Sequence, residues 1–424
     1  MKIHRLTAFH VPIRLKNPVR HASHERSAND TLIVRCVMDD GSTGWGEGLP
    51  RTYVTGESIE SAWNLLQTSS FEQLRDATFT SAVQAAWHLH HSPFLRVQES
   101  LHASAGAGPA GPLRECFGNS VRCAVELAIL DAACRSEGVS LGDLIPSLIR
   151  QPEWRFPATR ATDDVSLLLS SREVFYSGAV TSMSPRKQWL SALKMRLFAF
   201  RQVKVKVGAA GIPDRDILRR VRRVVGRSVD LRLDANEAWQ CDEVKAKLEP
   251  LLDYGPTSLE QPVPHGQIAG LAQVRREVSI PIMLDESLCC LEDAQRAVGG
   301  GWCDLFNIRL SKCGGLVRSL ELAAFARQHS LGYQLGCQVG ETGILSAAGR
   351  HFACNVGHIR YLEGSFDRFL VTDALTEQDL TFRYGGRGAR LTGPGLGVDV
   401  NECRIREIAL RTHDLICPDR PEAR

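Results

Sequence analysis

The sequence predicts an α/β protein: an eight-stranded parallel barrel preceded by a small α+β unit. Two observations carry this expectation. From about residue 175, short β-branched runs alternate with helix-length segments, and the runs end on polar residues. Taking those ends as Lys206, Asp234, Glu260, Asp285, Arg309, Cys337 and Glu363, the steps are 28, 26, 25, 24, 28 and 26 residues. A step so constant is one strand plus one helix, the repeat of a parallel barrel. An open doubly wound sheet also alternates strand and helix. It calls for a Gly-x-Gly-x-x-Gly turn after an early strand, and none is placed there.

The elements follow in order. The amino terminus, MKIHRLTAFHVPIR, is charged and alternating, which reads as a strand instead of the apolar core of a signal peptide. TLIVRCVM, the turn Asp39-Asp40-Gly41 and STGWGEG form a hairpin with an Asp-Gly signal at its tip. Helical patterns lie near 57–67 and 120–136, and between them SAGAGPAGP (104–112) reads as a flexible loop. VFYSGAVTS ends at Ser182, 24 residues before Lys206, and supplies the remaining barrel strand. The last part, GPGLGVDVNECRIREIAL, reads as turns followed by an alternating strand that returns to the first unit. The expected organisation is 1–150 for the α+β domain, 151–395 for the barrel and 396–424 for the returning segment.

Composition narrows the function classes. Lysine and arginine number 51 against 48 acidic residues, so no global charge draws the chain to nucleic acid or membrane, and a small substrate is expected. No segment is apolar enough to span a bilayer. The 13 cysteines are scattered and odd in number, without zinc-site spacings, which points to reduced thiols in a cytoplasm. Cys289 and Cys290 read as packing residues. DRDILRRVRRVVG places its arginines on the solvated side of a barrel helix, and His88, His90 and His91 read as surface histidines. A symmetric homo-oligomer is the default for a soluble enzyme.

In a closed barrel the carboxyl ends of all strands meet at one mouth. Asp234 in LRLDANEAW, Glu260 in SLEQPVP and Asp285 in IMLDESL end three consecutive runs. Each acid alone could be a helix cap or a salt-bridge partner. Three in register would repel in a poorly solvated site, and a divalent cation between them relieves that repulsion. Oxygen ligands suit Mg2+, or Mn2+, over zinc. One strand earlier, QVKVKVG points Lys204 and Lys206 the same way. Burial and a like charge both disfavour an ammonium, so Lys206 is expected to serve as a base, with Lys204 lowering its pKa and helping to hold an anion. A metal facing a lysine base suggests abstraction of the proton α to a carboxylate, with the resulting enediolate stabilised at the metal.

These residues together resemble the enolase superfamily and, within it, the muconate lactonizing enzyme (muconate cycloisomerase-like) subgroup. That subgroup's pattern is Lys-x-Lys, Asp, Glu, Asp-Glu and a further basic strand end. GWGEGLP resembles the family's capping hairpin, and GPGLGVDV looks like its closing segment. The resemblance implies a modified TIM barrel of (β/α)7β form with an α+β capping domain. It also implies Asp234, Glu260 and Asp285 as Mg2+ ligands, Lys206 as acid/base, and Asn236 and Glu286 beside them.

One position departs from the pattern. The sixth strand of the subgroup ends in a lysine, in a context like Asn-Ile-Lys, but here the text is FNIRLSKCGG. Asn307 and Arg309 then share the inward face, and Arg309 is a poor base but a good clamp. One-base cycloisomerisation or syn elimination is therefore favoured over racemase or epimerase chemistry on amino acid or dipeptide derivatives. Lys312, three residues on, stays a candidate for proton transfer. A barrel that keeps its metal site without turnover is the alternative of another class. Gln338, Glu341 and Glu363 are candidate substrate contacts at the mouth, with Glu363 either facing a cationic substrate or pairing with a neighbouring base. His21, Arg51 and Tyr53 lie, by resemblance, on capping loops.

Overall fold

The computed structural model describes residues 1–20, 25–97, 114–151, 167–181, 184–209 and 211–418. The expected loop at 104–112, together with His21 and Ser182, lies outside them. The chain opens with three antiparallel strands, β1 (Ile3–Arg20), β2 (Glu25–Met38) and β3 (Thr43–Gly48). The helices α1 (Ile59–Thr68), α2 (Ala82–His91), α3 (Asn119–Glu137) and α4 (Leu141–Arg150) follow.

The alternating glycines of TGWGEG have a packing cause. A Cβ on Gly44, Gly46 or Gly48 would lie 2.1 Å from Ala132 N, 1.9 Å from Ala124 O or 2.0 Å from Ser120 O respectively. The backbone of α3 therefore rests directly on β3, which only glycine permits. Buried carboxylates fasten this unit to the rest. Asp131 of α3 accepts hydrogen bonds from Trp45 N at 2.9 Å and Leu396 N at 2.7 Å.

The remaining strands are β4 (Glu173–Phe175), β5 (Gly178–Val180), β6 (Gln202–Lys206), β7 (Asp230–Asp234), β8 (Pro256–Glu260), β9 (Ile282–Leu284), β10 (Leu305–Ile308), β11 (Gly332–Leu335), β12 (Ile359–Leu362), β13 (Arg387–Ala389) and β14 (Arg411–Ile416). Strands β5 to β12 make one eight-stranded sheet in sequential order, and every pair between neighbours is parallel. The sheet curls until its edges meet, where Ser177 N donates to Leu362 O at 2.7 Å.

Between successive strands run α5 (Pro185–Leu197), α6 (Asp214–Val225), α7 (Val244–Leu248), α8 (Leu271–Glu277), α9 (Leu291–Gly300), α10 (Leu316–Gln328) and α11 (Gly343–Asn355). This is the expected (β/α)7β barrel. Its strands alternate as period-two geometry demands: Val203, Val205, Leu231, Leu233 and Leu259 sit in the apolar core, and the polar residues between them face one another inside the barrel.

Two helices of the barrel are pinned by acids from the first unit. Glu47 accepts from Thr342 N at 2.9 Å and Leu345 N at 3.0 Å, and Glu126 accepts from Leu316 N at 2.6 Å. Each carboxylate thus satisfies orphan amides at a helix start, α11 and α10 respectively. Burial pushes both acids up to about 7.

Three sequence expectations change. NECRIREIAL is not a strand: Asn401 accepts from Arg404 N and caps a helix over Glu402–Ile408. The returning strand is β14, just beyond it, and β14 pairs antiparallel with β1. Arg222 of α6 is buried, not solvated, because its guanidinium closes four carbonyls, those of Gly226, Val229, Tyr254 and Gly255. His88 and His90 are partly buried, and burial drives the His90 pKa down to about 4.

Candidate active site

The barrel register lays the site out directly. Lys206 is opposite Asp234, and Asp234 is opposite Glu260, on β6, β7 and β8. Asp285 follows β9 by one residue, and Arg309 follows β10 by one. Strand alternation adds an inner layer below: Lys204 under Lys206, Arg232 under Asp234 and Asn307 under Arg309.

The charges are densely paired. Lys204 Nζ lies 3.2 Å from Asp234, 3.6 Å from Glu260 and 2.8 Å from Glu363. These acids hold the Lys204 pKa well above the usual lysine range despite its burial, so it remains a cation. Lys206 shifts the other way. Burial is the main cause, Lys204 adds to it, and Asp234 opposes it only in part. The pair therefore divides into a fixed charge and a lysine disposed to lose its proton.

The three acids are held by neighbours. Asp234 Oδ1 accepts from Asn236 N at 3.1 Å, and Asn236 Nδ2 donates to Glu286 at 3.3 Å. Asn307 Nδ2 donates to Glu260 Oε1 at 2.7 Å. Lys312 Nζ donates to Asp285 Oδ1 at 2.8 Å, to Asp285 O at 2.7 Å and to Asn307 O at 2.8 Å. Arg309 donates to the other oxygen of Asp285 and lies 3.6 Å from Glu260.

Whether these residues suit a divalent cation can be tested on the donors themselves. All are carboxylate oxygens, the hard donors that Mg2+ or Mn2+ prefers. Glu260 Oε2 is buried and accepts no hydrogen bond. Burial, with the repulsion of Asp234 added, pushes Glu260 up to about 8 even beside Lys204, so this carboxylate calls for more positive charge than the protein supplies. The donor set fits.

A cavity of about 250 Å³ opens above this layer. Lys206, Asn236, Glu286, Arg309, Gln338 and Glu363 give it polar walls, and Tyr53, Val54, Val339, Phe366 and Leu370 give it apolar ones. Of the residues singled out from sequence, Tyr53, Lys204, Lys206, Asp234, Asn236, Glu286, Arg309, Gln338 and Glu363 line it.

Others are placed elsewhere. Lys312 is fully enclosed, its three protons spent on Asp285 and Asn307, so it holds a carboxylate and does not reach the cavity. Asn307 is likewise enclosed and donates to Glu260 instead of lining the cavity. Glu341 turns into a small crevice beside Ser346 and Gly364 and accepts from Gln338 N at 2.6 Å. Arg51 is buried and binds Asn29 and Val339 O, both at 3.0 Å, tying the loop after β3 to the loop after β11. His21 lies outside the described residues. Glu363 lines the cavity and is paired there with Lys204 and Arg232.

Two contributors escaped the sequence reading. Arg232 is almost fully buried, donates to Ser177 Oγ at 3.0 Å and to Glu363, and stacks over Tyr361. Its position two residues before Asp234 was the available signal, since period-two alternation puts both inside the barrel. Gln261 bridges β8 to the loop after β9, accepting from Asp285 N at 2.9 Å and donating to Ser287 Oγ at 2.9 Å. It stands next to Glu260 in SLEQPVP, but nothing local to that motif shows what its amide meets.

Comparison with known proteins adds a lineage. A family model described as "Enolase C-terminal domain-like" matches residues 187–404. The L-Ala-D/L-Glu epimerase of Bacillus subtilis (strain 168) is 27% identical over 403 residues, covering 94% of this chain and 97% of its own. Muconate cycloisomerase 1 of Rhodococcus opacus is also 27% identical over 403 residues, covering 93% and 94%. Among solved structures, a dipeptide epimerase from Cytophaga hutchinsonii, complexed with Mg and the dipeptide D-Ala-L-Val, aligns with a TM-score of 0.75 at 22% identity. That alignment covers 98% of this chain and 100% of the other, and establishes likeness of fold.

Proposed function

Because this chain belongs to the enolase superfamily, we propose that it is an isomerase or lyase that removes the proton α to the carboxylate of a small acid, using one base. The observation that carries this is the asymmetry across the cavity: Lys206 is disposed to lose its proton, and the residue ending the sixth strand of the Lys-x-Lys pattern is Arg309. A guanidinium stays protonated and cannot act as a base.

Lys206 takes the α-proton, and the electron pair moves toward the substrate's carboxylate. Lys204 stays charged and keeps Asp234, Glu260 and Glu363 in place. Arg309 supplies positive charge on the cavity wall. The apolar side made by Tyr53, Val54, Phe366 and Leu370 excludes water around the rest of the substrate. Asp234, Glu260 and Asp285 would hold a divalent ion, with Mg2+ first and Mn2+ second, which when bound supplies Lewis-acid stabilisation of the charge gathering on the carboxylate. A lysine that retains the abstracted proton can return it on the same face, or keep it while the enediolate pair expels a β-substituent or opens a ring by breaking its β-carbon–oxygen bond; in the reverse, ring-closing sense the oxygen adds at the β-carbon and the same lysine gives its proton to the α-carbon. Cycloisomerisation and syn elimination are both open to such a site.

Epimerase or racemase chemistry is the second reading, favoured by relatives such as the Bacillus subtilis epimerase. It needs a second base on the opposite face. Lys312 is enclosed, and Glu363, already paired with two cations, offers little to a substrate ammonium.

The test is proton exchange in deuterated water over a panel of carboxylic acids with Mg2+, read by NMR with chiral analysis of the product. Retained configuration with deuterium at the α-carbon is expected, slowed about 10²–10⁴-fold in Lys206→Ala. Arg309→Met is expected to lose affinity for the acid while exchange persists at high concentration. Exchange that survives Lys206→Ala, or inversion as fast as exchange, overturns the one-base reading.

A further inference from the structure

Asp285 is gripped from two sides. Lys312 holds its Oδ1 from within the protein, and Arg309 holds its Oδ2 from the cavity wall. The same arginine nitrogen reaches to 3.6 Å from Glu260 Oε1. So arranged, the ligand oxygens of Asp234, Glu260 and Asp285 do not all lie within 4.8 Å of one another. Oxygens that share one Mg2+ at about 2.1 Å can stand no more than roughly 4.2 Å apart.

Resting on the reading above, that these three acids hold a divalent ion, we propose that Arg309 is a built-in counter-cation of that ion's site. It occupies Asp285 until the ion arrives, yields the carboxylate to it, and then closes on the anionic substrate.

Charge and geometry together favour such a handover. Around the cavity and directly beneath it stand five acids (Asp234, Glu260, Asp285, Glu286, Glu363) and five bases (Lys204, Lys206, Arg232, Arg309, Lys312), all within one connected set of contacts or cavity walls. With every group ionised their formal charges balance, and a Lys206 that has given up its proton leaves the set one negative charge over. A divalent ion adds two positive charges to a cluster with little water, and a guanidinium cannot release its proton to compensate. Arg309 already holds Asp285 Oδ2 and stands 3.6 Å from Glu260 Oε1, so an ion taking these oxygens displaces it, and a substrate carboxylate in the cavity is the anion that offsets the added charge. Ion and substrate anion should bind cooperatively, each tightening the other by the same factor. Lys312 cannot take this part, because its other two hydrogen bonds, to Asp285 O and Asn307 O, fix it where it is.

The experiment reads ion binding and needs no turnover. Mn2+ is titrated into the wild type, Arg309→Met and Arg309→Gln, and free Mn2+ is followed by electron paramagnetic resonance, with and without succinate as the probe carboxylate. Circular dichroism establishes that each variant is folded. Both variants are expected to bind Mn2+ at least about fivefold tighter than the wild type, and succinate is expected to tighten Mn2+ binding to the wild type but not to the variants. Equal or weaker Mn2+ binding in both variants overturns the proposal while leaving the metal reading intact. A wild-type affinity unmoved by succinate overturns the closing of Arg309 on the substrate. Absence of Mn2+ binding in all three proteins overturns the metal reading beneath it as well.

Discussion

Replacing Arg232 by methionine tests whether the barrel interior is held by its buried ion cluster. The guanidinium is 1% exposed, pairs with Glu363 at 8%, and donates to Ser177 Oγ at 3.0 Å. Methionine fills most of the volume but leaves a buried carboxylate one cation short. Breaking a buried pair from one side costs about 3–5 kcal/mol, and the lost bond to Ser177 adds about 1. Lys204 still stands 2.8 Å from Glu363 and limits the damage, so a loss near the lower end, about 3 kcal/mol, is expected. Removing the acid as well should recover much of it: Arg232→Met with Glu363→Gln is expected to be more stable than the sum of the single changes by about 2 kcal/mol. Urea unfolding followed by tryptophan fluorescence measures all four proteins of the cycle. A single-mutant loss below about 1 kcal/mol, or strict additivity, would refute the view that this pair is a coupled element of the core.

Other consequences are equally direct. Glu47 is pushed from 4.5 up to about 7, chiefly by burial, so the folded state keeps its proton longer than the unfolded chain does. Its contribution is whole below pH 4.5 and falls as pH rises through 7, by about 3 kcal/mol at most. Glu47→Gln should therefore gain on the wild type between pH 5 and 8 in thermal melts, and parallel curves would exclude this. His351 is pushed from 6.5 down to about 4 by burial, so the fold disfavours its protonation and stability drops as pH falls from 6.5 toward 4. His351→Gln should flatten that acid limb, and a limb of unchanged depth would assign it to other groups. Gly46→Ala would bring a Cβ to 1.9 Å from Ala124 O; a loss of roughly 1–3 kcal/mol or more, or insoluble protein, is expected, and a neutral change would mean that α3 can lift off β3. Of the 13 cysteines, Cys403 and Cys417 are exposed, Cys241 and Cys337 are partly buried and the other nine are buried, so a thiol reagent should titrate two groups quickly in native protein, two more slowly, and nine only in denaturant. Fast reaction of more would show that the buried thiols are accessible.

Much of this molecule was legible in one dimension. The barrel rests on local signals: a strand with period-two alternation, a helix after it, and a near-constant step between them. Those signals put Lys204, Lys206, Asp234 and Glu260 on an inward face, because alternation is a property of the backbone. The departure at Arg309 was likewise visible as one letter in FNIRLSKCGG. NECRIREIAL misled because its apolar residues fit either period, and the cap by Asn401 decided for helix.

What the sequence left open was pairing. Glu363 meets Arg232 across 131 positions, and Arg309 meets Asp285 across 24. A charged residue announces its sign but not its partner. Whether Lys312 enters the cavity or stays behind Asp285, and whether Glu363 faces a substrate or a neighbouring base, depends on which groups the closed barrel brings within about 4 Å. In a site that excludes water, those distances set each group's charge and freedom, and only the tertiary structure supplies them.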